Sequence, residues 1–372
     1  QEQQRRAAAV GFGVRGQRFV DPRATTSAVP SNIGISPITL LAAQGVSEIL
    51  RLRAILALSA GDNNASRAYA NKAIALLEAV GIDPGGVRWR AVRVAGLGAA
   101  RQDNLGVASA DLGDSARGLN KALPSSQPAG KTFLESGNIQ LKRGNTPGAL
   151  AEFRRGAAIL RERQNTVSVE TAMPYLDAAW RQSQTGVGGI GVSLHAEMFD
   201  AAQLVTSGVT ASFVAQAALR LGDGNERVRA LQDLTNRVTD LYQRRDIAAN
   251  RNADNATLAA IDAQIGDAQQ QRAAAEEEVR KTLPNYFQLV AGQAGSRDVL
   301  GVLRPQEGFL HIVLGSTKGY AMLAHNGRVN AWPVDLSLAK AEEIVGKLRA
   351  AFTPDAQGQL PKYDVALAHD LF

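Results

Sequence analysis

KTFLESGNIQLKRGNTPGALAEFRRGAAIL, residues 131–160, holds two helices and the turn that joins them. Phe133, Gly137, Gly144, Ala149, Phe153 and Ala157 recur at spacings that alternate between helix faces. Thr146-Pro147 marks a helix start. Threonine caps free N–H groups, and proline fits the first turn without losing a bond. The spacing predicts one helix to about Lys142, a turn at Arg143-Gly144-Asn145, and a second helix from Pro147 to about Arg163.

A weaker copy lies upstream. Ala54, Gly61, Ser66, Ala70 and Ala73 reproduce the offsets of Gly137, Gly144, Ala149, Phe153 and Gly156. Small residues recur where two helices must approach closely. A repeat of about 34 residues with this signature resembles the tetratricopeptide repeat. The likeness is good over 131–163, fair over 47–80 and poor over 88–123, where only the helical period survives. It implies a right-handed stack of antiparallel helix pairs across roughly 41–222, with Gly137 and Ala149 in tight contact between paired helices. It also implies a protein or peptide partner bound by the repeats.

Composition agrees with stacked helices. Of 372 residues, 45% are hydrophobic but only 5% aromatic, so alanine and glycine do much of the packing. The length leaves room for two or three domains. No apolar run approaches the roughly 20 residues of a membrane-spanning helix. Cysteine is absent, which excludes disulfides, thiolate zinc sites, Fe–S clusters and a cysteine nucleophile within this chain. The net charge of +6 permits nucleic acid or an acidic partner and demands neither. Gln1-Glu2-Gln3-Gln4 suits the terminus left by signal-peptide removal, an expectation of export. Asp370-Leu371-Phe372 falls inside an apolar pattern, as in part of a longer protein.

Four segments follow. Residues 1–40, with Pro22, Pro30, Gly34 and Pro37, read as an irregular lead-in, and 41–222 as the helical repeats. In 223–283, Val228, Leu231, Leu234, Val238 and Leu241 run at helical spacing, and Leu258, Ile261, Ile265, Ala268 and Val279 resume it after a polar break. This predicts an antiparallel coiled-coil hairpin, ended by Pro284. Residues 284–372 change again. A short helix over Ser296–Leu303 precedes strands over 309–314, 320–324 and 328–334, with Asn326-Gly327 as a two-residue hairpin turn. A helix from Leu338 to Phe352, packed on one face of the sheet, and a last helix from near Tyr363 complete the opening of an α/β domain.

This order of parts resembles bacterial CHAT proteins, caspase-like domains that follow tetratricopeptide repeats. The likeness rests on Met198-Phe199-Asp200-Ala201-Ala202-Gln203-Leu204, Leu283-Pro284-Asn285-Tyr286, the run from Val299 to Gly308, and Ala366 to Phe372. It implies a mainly α chain: a tetratricopeptide-like array, a coiled-coil hairpin, then the N-terminal part of a CHAT domain. In that family a Cys–His pair cleaves peptide bonds. Both residues follow the strands and helices present here, so the resemblance gives this chain no catalytic residue. The remaining half of the CHAT domain is then an expected partner.

Other candidates have plainer readings. His311 and His325 fall on adjacent strands without an Asp, Glu or His at ligand spacing, so no metal site is expected. His369 falls on the terminal helix without a following glycine, and His195 reads as a surface or capping residue. Gly186-Val187-Gly188-Gly189-Ile190-Gly191 matches a dinucleotide fingerprint in form, but follows a helix rather than a strand, so it reads as a connector and no cofactor is expected. Arg88, Arg90 and Arg93 around Trp89, and Arg154, Arg155, Arg161 and Arg163, read as solvated helix faces rather than a nucleic-acid site. Two functional readings remain: the regulatory, partner-binding portion of a caspase-like peptidase, or a non-enzymatic scaffold.

Overall fold

The computed structural model describes residues 37–81, 86–162, 165–185, 189–205, 225–251, 253–282, 295–354 and 358–371. The chain is mainly helical, with one small antiparallel sheet of three strands. The expected lead-in is shorter than 1–40. Helix α1 (Pro37–Ser59) opens on a proline, whose missing N–H costs nothing there. Residues 1–36, the Gly186–Gly188 connector, the stretch 206–222, and the Leu283–Tyr286 junction with Pro284 lie outside the described residues.

Seven further helices follow: α2 (Asn63–Val80), α3 (Val87–Arg101), α4 (Leu105–Ala122), α5 (Gln127–Lys142), α6 (Thr146–Glu162), α7 (Val169–Thr185) and α8 (Gly189–Ala202). Side chains cap several starts: Asp62 accepts from the Ala65 N–H, Asn104 from Val107 and Ser126 from Ala129. For α6 the cap is Asn145 rather than the expected Thr146. Its side chain accepts from the Gly148 N–H at 3.1 Å and its carbonyl from the Ala149 N–H at 2.9 Å.

Small residues set how the helices pair. A Cβ on Gly130 would stand 2.7 Å from Leu160, and one on Gly137 2.7 Å from Phe153. As the number rises along α5 it falls along α6, so the pair is antiparallel. Phe133, Ala149, Phe153 and Ala157 are buried in the same pair. The three atoms nearest a Cβ on Gly137 all belong to the Phe153 ring, and Ala149 is fully buried. Gly144 packs against nothing: it is exposed, a Cβ there would meet open space, and its φ of +78° serves the turn. Helices α3 and α4 are just as tight although their sequence resembles the repeat least. A Cβ on Gly96 would stand 3.0 Å from Leu112, and one on Gly118 2.1 Å from the Trp89 ring.

Helices α9 (Glu226–Asn250) and α10 (Asn255–Thr282) form the hairpin. Arg227 pairs with Glu278, Tyr242 with Gln269, and Arg245 with Asp262, an antiparallel order. Val238, Leu241, Tyr242, Ile265 and Ala268 make its core.

After α11 (Ser296–Val302) come β1 (Gly308–Leu314), β2 (Gly319–His325) and β3 (Arg328–Val334), in sheet order β1-β2-β3. Asn326 (φ +50°) and Gly327 (φ +72°) turn β2 into β3, as two positive-φ residues require. The register sets His311 against Met322 and Met322 against Ala331. Val313, Tyr320, Met322, Ala324, Val329 and Ala331 thus share one face, and they join the core of α5–α8 instead of building their own. Phe199 of α8 meets Phe309 and His311 edge-on. The other face leaves Leu310, Ile312 and Trp332 exposed. Helix α12 (Leu338–Ala350) contains no buried residue, so it does not cover that face as its amphipathic pattern predicts, and α13 (Val365–Leu371) contains none either.

Candidate functional site

The hairpin meets the helical array along a cleft of about 350 Å³. One wall is the α4–α5 connection with Ser126 and Gln127. The other is α9 with Thr239, Tyr242 and Gln243, and α10 with Arg272. Glu162, at the end of α6, fastens the walls together. Its carboxylate accepts from the Tyr242 hydroxyl at 2.8 Å, from the Gln269 amide at 2.8 Å, and from the Ser125 hydroxyl. The Gln269 amide also donates to the Tyr242 oxygen at 2.9 Å. Ser125 holds a φ of +54°, a region where residues other than glycine are uncommon, and its side chain points into this network.

A second clamp lies beside it. Arg245 is only 5% exposed, yet donates to the Ala122 carbonyl at 2.5 Å and to both Asp262 oxygens at 2.8 and 3.3 Å. The Ala122 carbonyl belongs to the last turn of α4, where a cation is favourable. A buried guanidinium contributes little net stability, but it penalises any register that leaves it unpaired. The two clamps tie the hairpin to the ends of α4 and α6. The lining mixes amides and hydroxyls with the apolar Leu123 and Val238, the Arg90 and Arg272 guanidiniums and the Asp246 carboxylate, and the Nε of Arg272 is buried without a hydrogen bond. Such a lining suits a polar ligand that offers both hydrogen-bond donors and acceptors.

The sequence-predicted residues lie elsewhere. Phe133, Gly137, Ala149, Phe153 and Ala157 are brought together inside the α5–α6 pair and touch no cleft. His311 and His325 do not converge. The Nδ1 of His311 accepts from the Gln203 amide at 3.0 Å, while that of His325 lies 2.9 Å from the Glu307 carbonyl. Burial lowers the pKa of His311, and likewise that of His195, which is half-buried and stacks on Trp180. His369 is exposed beside Asp370. Among the described residues no group of His, Cys, Asp or Glu is placed to hold a metal, and no helix is long and apolar enough to cross a membrane.

The arginine clusters are tied to carboxylates. Arg88 lies over the Trp89 ring at 4.4 Å and pairs with Glu78 at 2.7 Å. Arg93 pairs with Glu135 at 2.5 Å, and Arg154 with Glu197 at 2.8 Å. Glu197 also accepts from the Tyr175 hydroxyl at 2.7 Å, and burial, followed by that carboxylate, raises the Tyr175 pKa. On the sheet side Tyr320 donates to Asp177 at 2.6 Å beside Lys318 at 2.7 Å.

Sequence reasoning missed the cleft. Its one local signal was a polar residue at each of two apolar-periodic positions of the hairpin, Tyr242 and Arg245, after Val238 and Leu241. In comparisons with known proteins the chain matches no family model, no curated protein and no solved structure.

Proposed function

We propose that the chain is a protein-interaction module in which a tetratricopeptide-like array and its docked hairpin hold an extended segment of a partner protein. We place it in the regulatory portion of a CHAT-type, caspase-like peptidase. The observation that supports the reading is the cleft. Its walls are tied by the Glu162 and Arg245 clamps, and its lining offers amides and hydroxyls for a peptide backbone and the Arg272 guanidinium for a carbonyl or carboxylate oxygen. With no thiol in the sequence, the chain supplies binding and not the nucleophile. The test is a selection of displayed random peptides against the intact chain. Selected peptides should lose binding at least tenfold to Thr239→Trp, which fills the cleft, and to Arg272→Ala, while melting curves stay unchanged. Peptides indifferent to both substitutions would overturn the reading.

A further inference from the structure

The hairpin carries its own core of Val238, Leu241, Tyr242, Ile265 and Ala268, and among the described residues no apolar cluster holds side chains of both hairpin and array. The clamps that join the two are polar. The Tyr242 hydroxyl and the Gln269 amide donate to Glu162, and the Arg245 guanidinium donates to the Ala122 carbonyl. Beside these ties lies a cleft rather than packed side chains. Two parts of one chain move relative to each other unless the interface between them is large and apolar.

We propose that the hairpin is a movable arm, which undocks from the array as one body when the clamps open and is drawn back by a segment bound in the cleft. The proposal rests on the cleft being the binding site and adds how that site is controlled. The clamp groups keep partners on their own side when they part. Arg245 keeps both Asp262 oxygens within the hairpin, Tyr242 and Gln269 keep each other, and Glu162 keeps the Ser125 hydroxyl. The Ala122 carbonyl, in the last turn of α4, turns to water, as carbonyls at helix ends do. Breaking a buried ion pair is costly because it leaves a charge without its partner, and here Arg245 and Asp262 move together.

The coupling to ligand follows from where the walls stand. Ser126 and Gln127 belong to the array, and Thr239 and Gln243 to the hairpin. A segment that touches both walls binds the docked form alone and shifts the population towards it. Loosening a clamp then weakens the segment's apparent affinity by the fraction of chains that remain docked.

The chain has no cysteine, so Ala158→Cys on α6 and Ala256→Cys on α10, both exposed and outside the cleft, are the only sites that take nitroxide labels. Pulsed electron–electron double resonance on the full 372-residue chain then reads the distance from array to hairpin. One docked distance should dominate in the labelled parent. Adding Glu162→Ala, which removes one clamp, should raise the ratio of a longer distance to the docked one by about tenfold or more, with the helical circular dichroism unchanged. A peptide selected on the parent chain should lower that ratio again. An unchanged distance in Glu162→Ala, or a longer one that comes with lost helix signal, overturns the arm. Both results are read without ligand, so the cleft itself is judged separately, by the loss of peptide binding in Thr239→Trp. Peptides that pass that test and yet leave the distances in Glu162→Ala unmoved overturn the coupling.

Discussion

Replacing Gly137 by alanine sets two known effects against each other, and the structure says which wins. In a helix interior alanine is favoured over glycine by about 1 kcal/mol. At Gly137 the new methyl would stand 2.7 Å from two atoms of the Phe153 ring. That ring has no room to yield: it is fully buried and stacks on Tyr175 at 5.1 Å, and the Tyr175 hydroxyl is tied to Glu197. Overpacking of this kind costs about 1–3 kcal/mol, and the absence of any escape puts it in the upper half of that range. The expected net loss is about 1–2 kcal/mol. Gly266, inside α10, is the control, since a Cβ there meets nothing within 4 Å. Gly266→Ala should therefore gain up to about 1 kcal/mol. The assay is urea unfolding of both variants, with the midpoint compared at unchanged slope. A Gly137→Ala chain as stable as the parent, alongside a stabilised Gly266→Ala, would refute the close approach of α5 and α6.

Three further outcomes are expected. Tyr320→Phe removes the 2.6 Å bond to Asp177 and should lower stability by about 1.5 kcal/mol, the low end for a bond to a charged group, because Lys318 still neutralises the carboxylate; urea midpoints check it. His311 and His195 have pKa values lowered by burial, so the unfolded chain binds protons more readily; stability is complete above their ordinary value of 6.5 and falls as pH drops below it. In His311→Gln, urea midpoints measured from pH 7 downward should fall less. If the chain is the binding portion of a cysteine peptidase, the purified chain, freed of contaminating proteases, should hydrolyse none of a panel of fluorogenic peptides, and hydrolysis of any would refute that reading.

Local features were legible in the sequence. The turn at Arg143-Gly144-Asn145 and the Asn326-Gly327 hairpin depend on backbone preferences of a few adjacent residues, and the strands follow from alternation. In the α3–α4 pair, Gly96, Ala108 and Leu112 do keep the offsets of Gly137, Ala149 and Phe153, but an aspartate, Asp103 (φ +57°), stands where Gly144 turns the clearer copy, and the tight Gly118–Trp89 contact falls outside the pattern. Alternation also named the apolar residues of the sheet without saying which face is covered. That is decided by α7 and α8, through Phe199 and Asp177, more than a hundred residues away. The cleft was out of reach for the same reason. Glu162 and Tyr242 are 80 positions apart, and no local pattern ties a carboxylate at a helix end to a hydroxyl on a hairpin.

A partner segment held between array and hairpin would shield both from solvent. Hydrogen exchange of the intact chain, with and without a peptide selected from the random library, tests it most directly. The predicted result is slowed exchange in the α4–α5 connection around Ser126 and along α9 from Thr235 to Asp246, the two walls of the cleft. Protection confined to other helices, or to the exposed sheet face around Ile312 and Trp332, would contradict it.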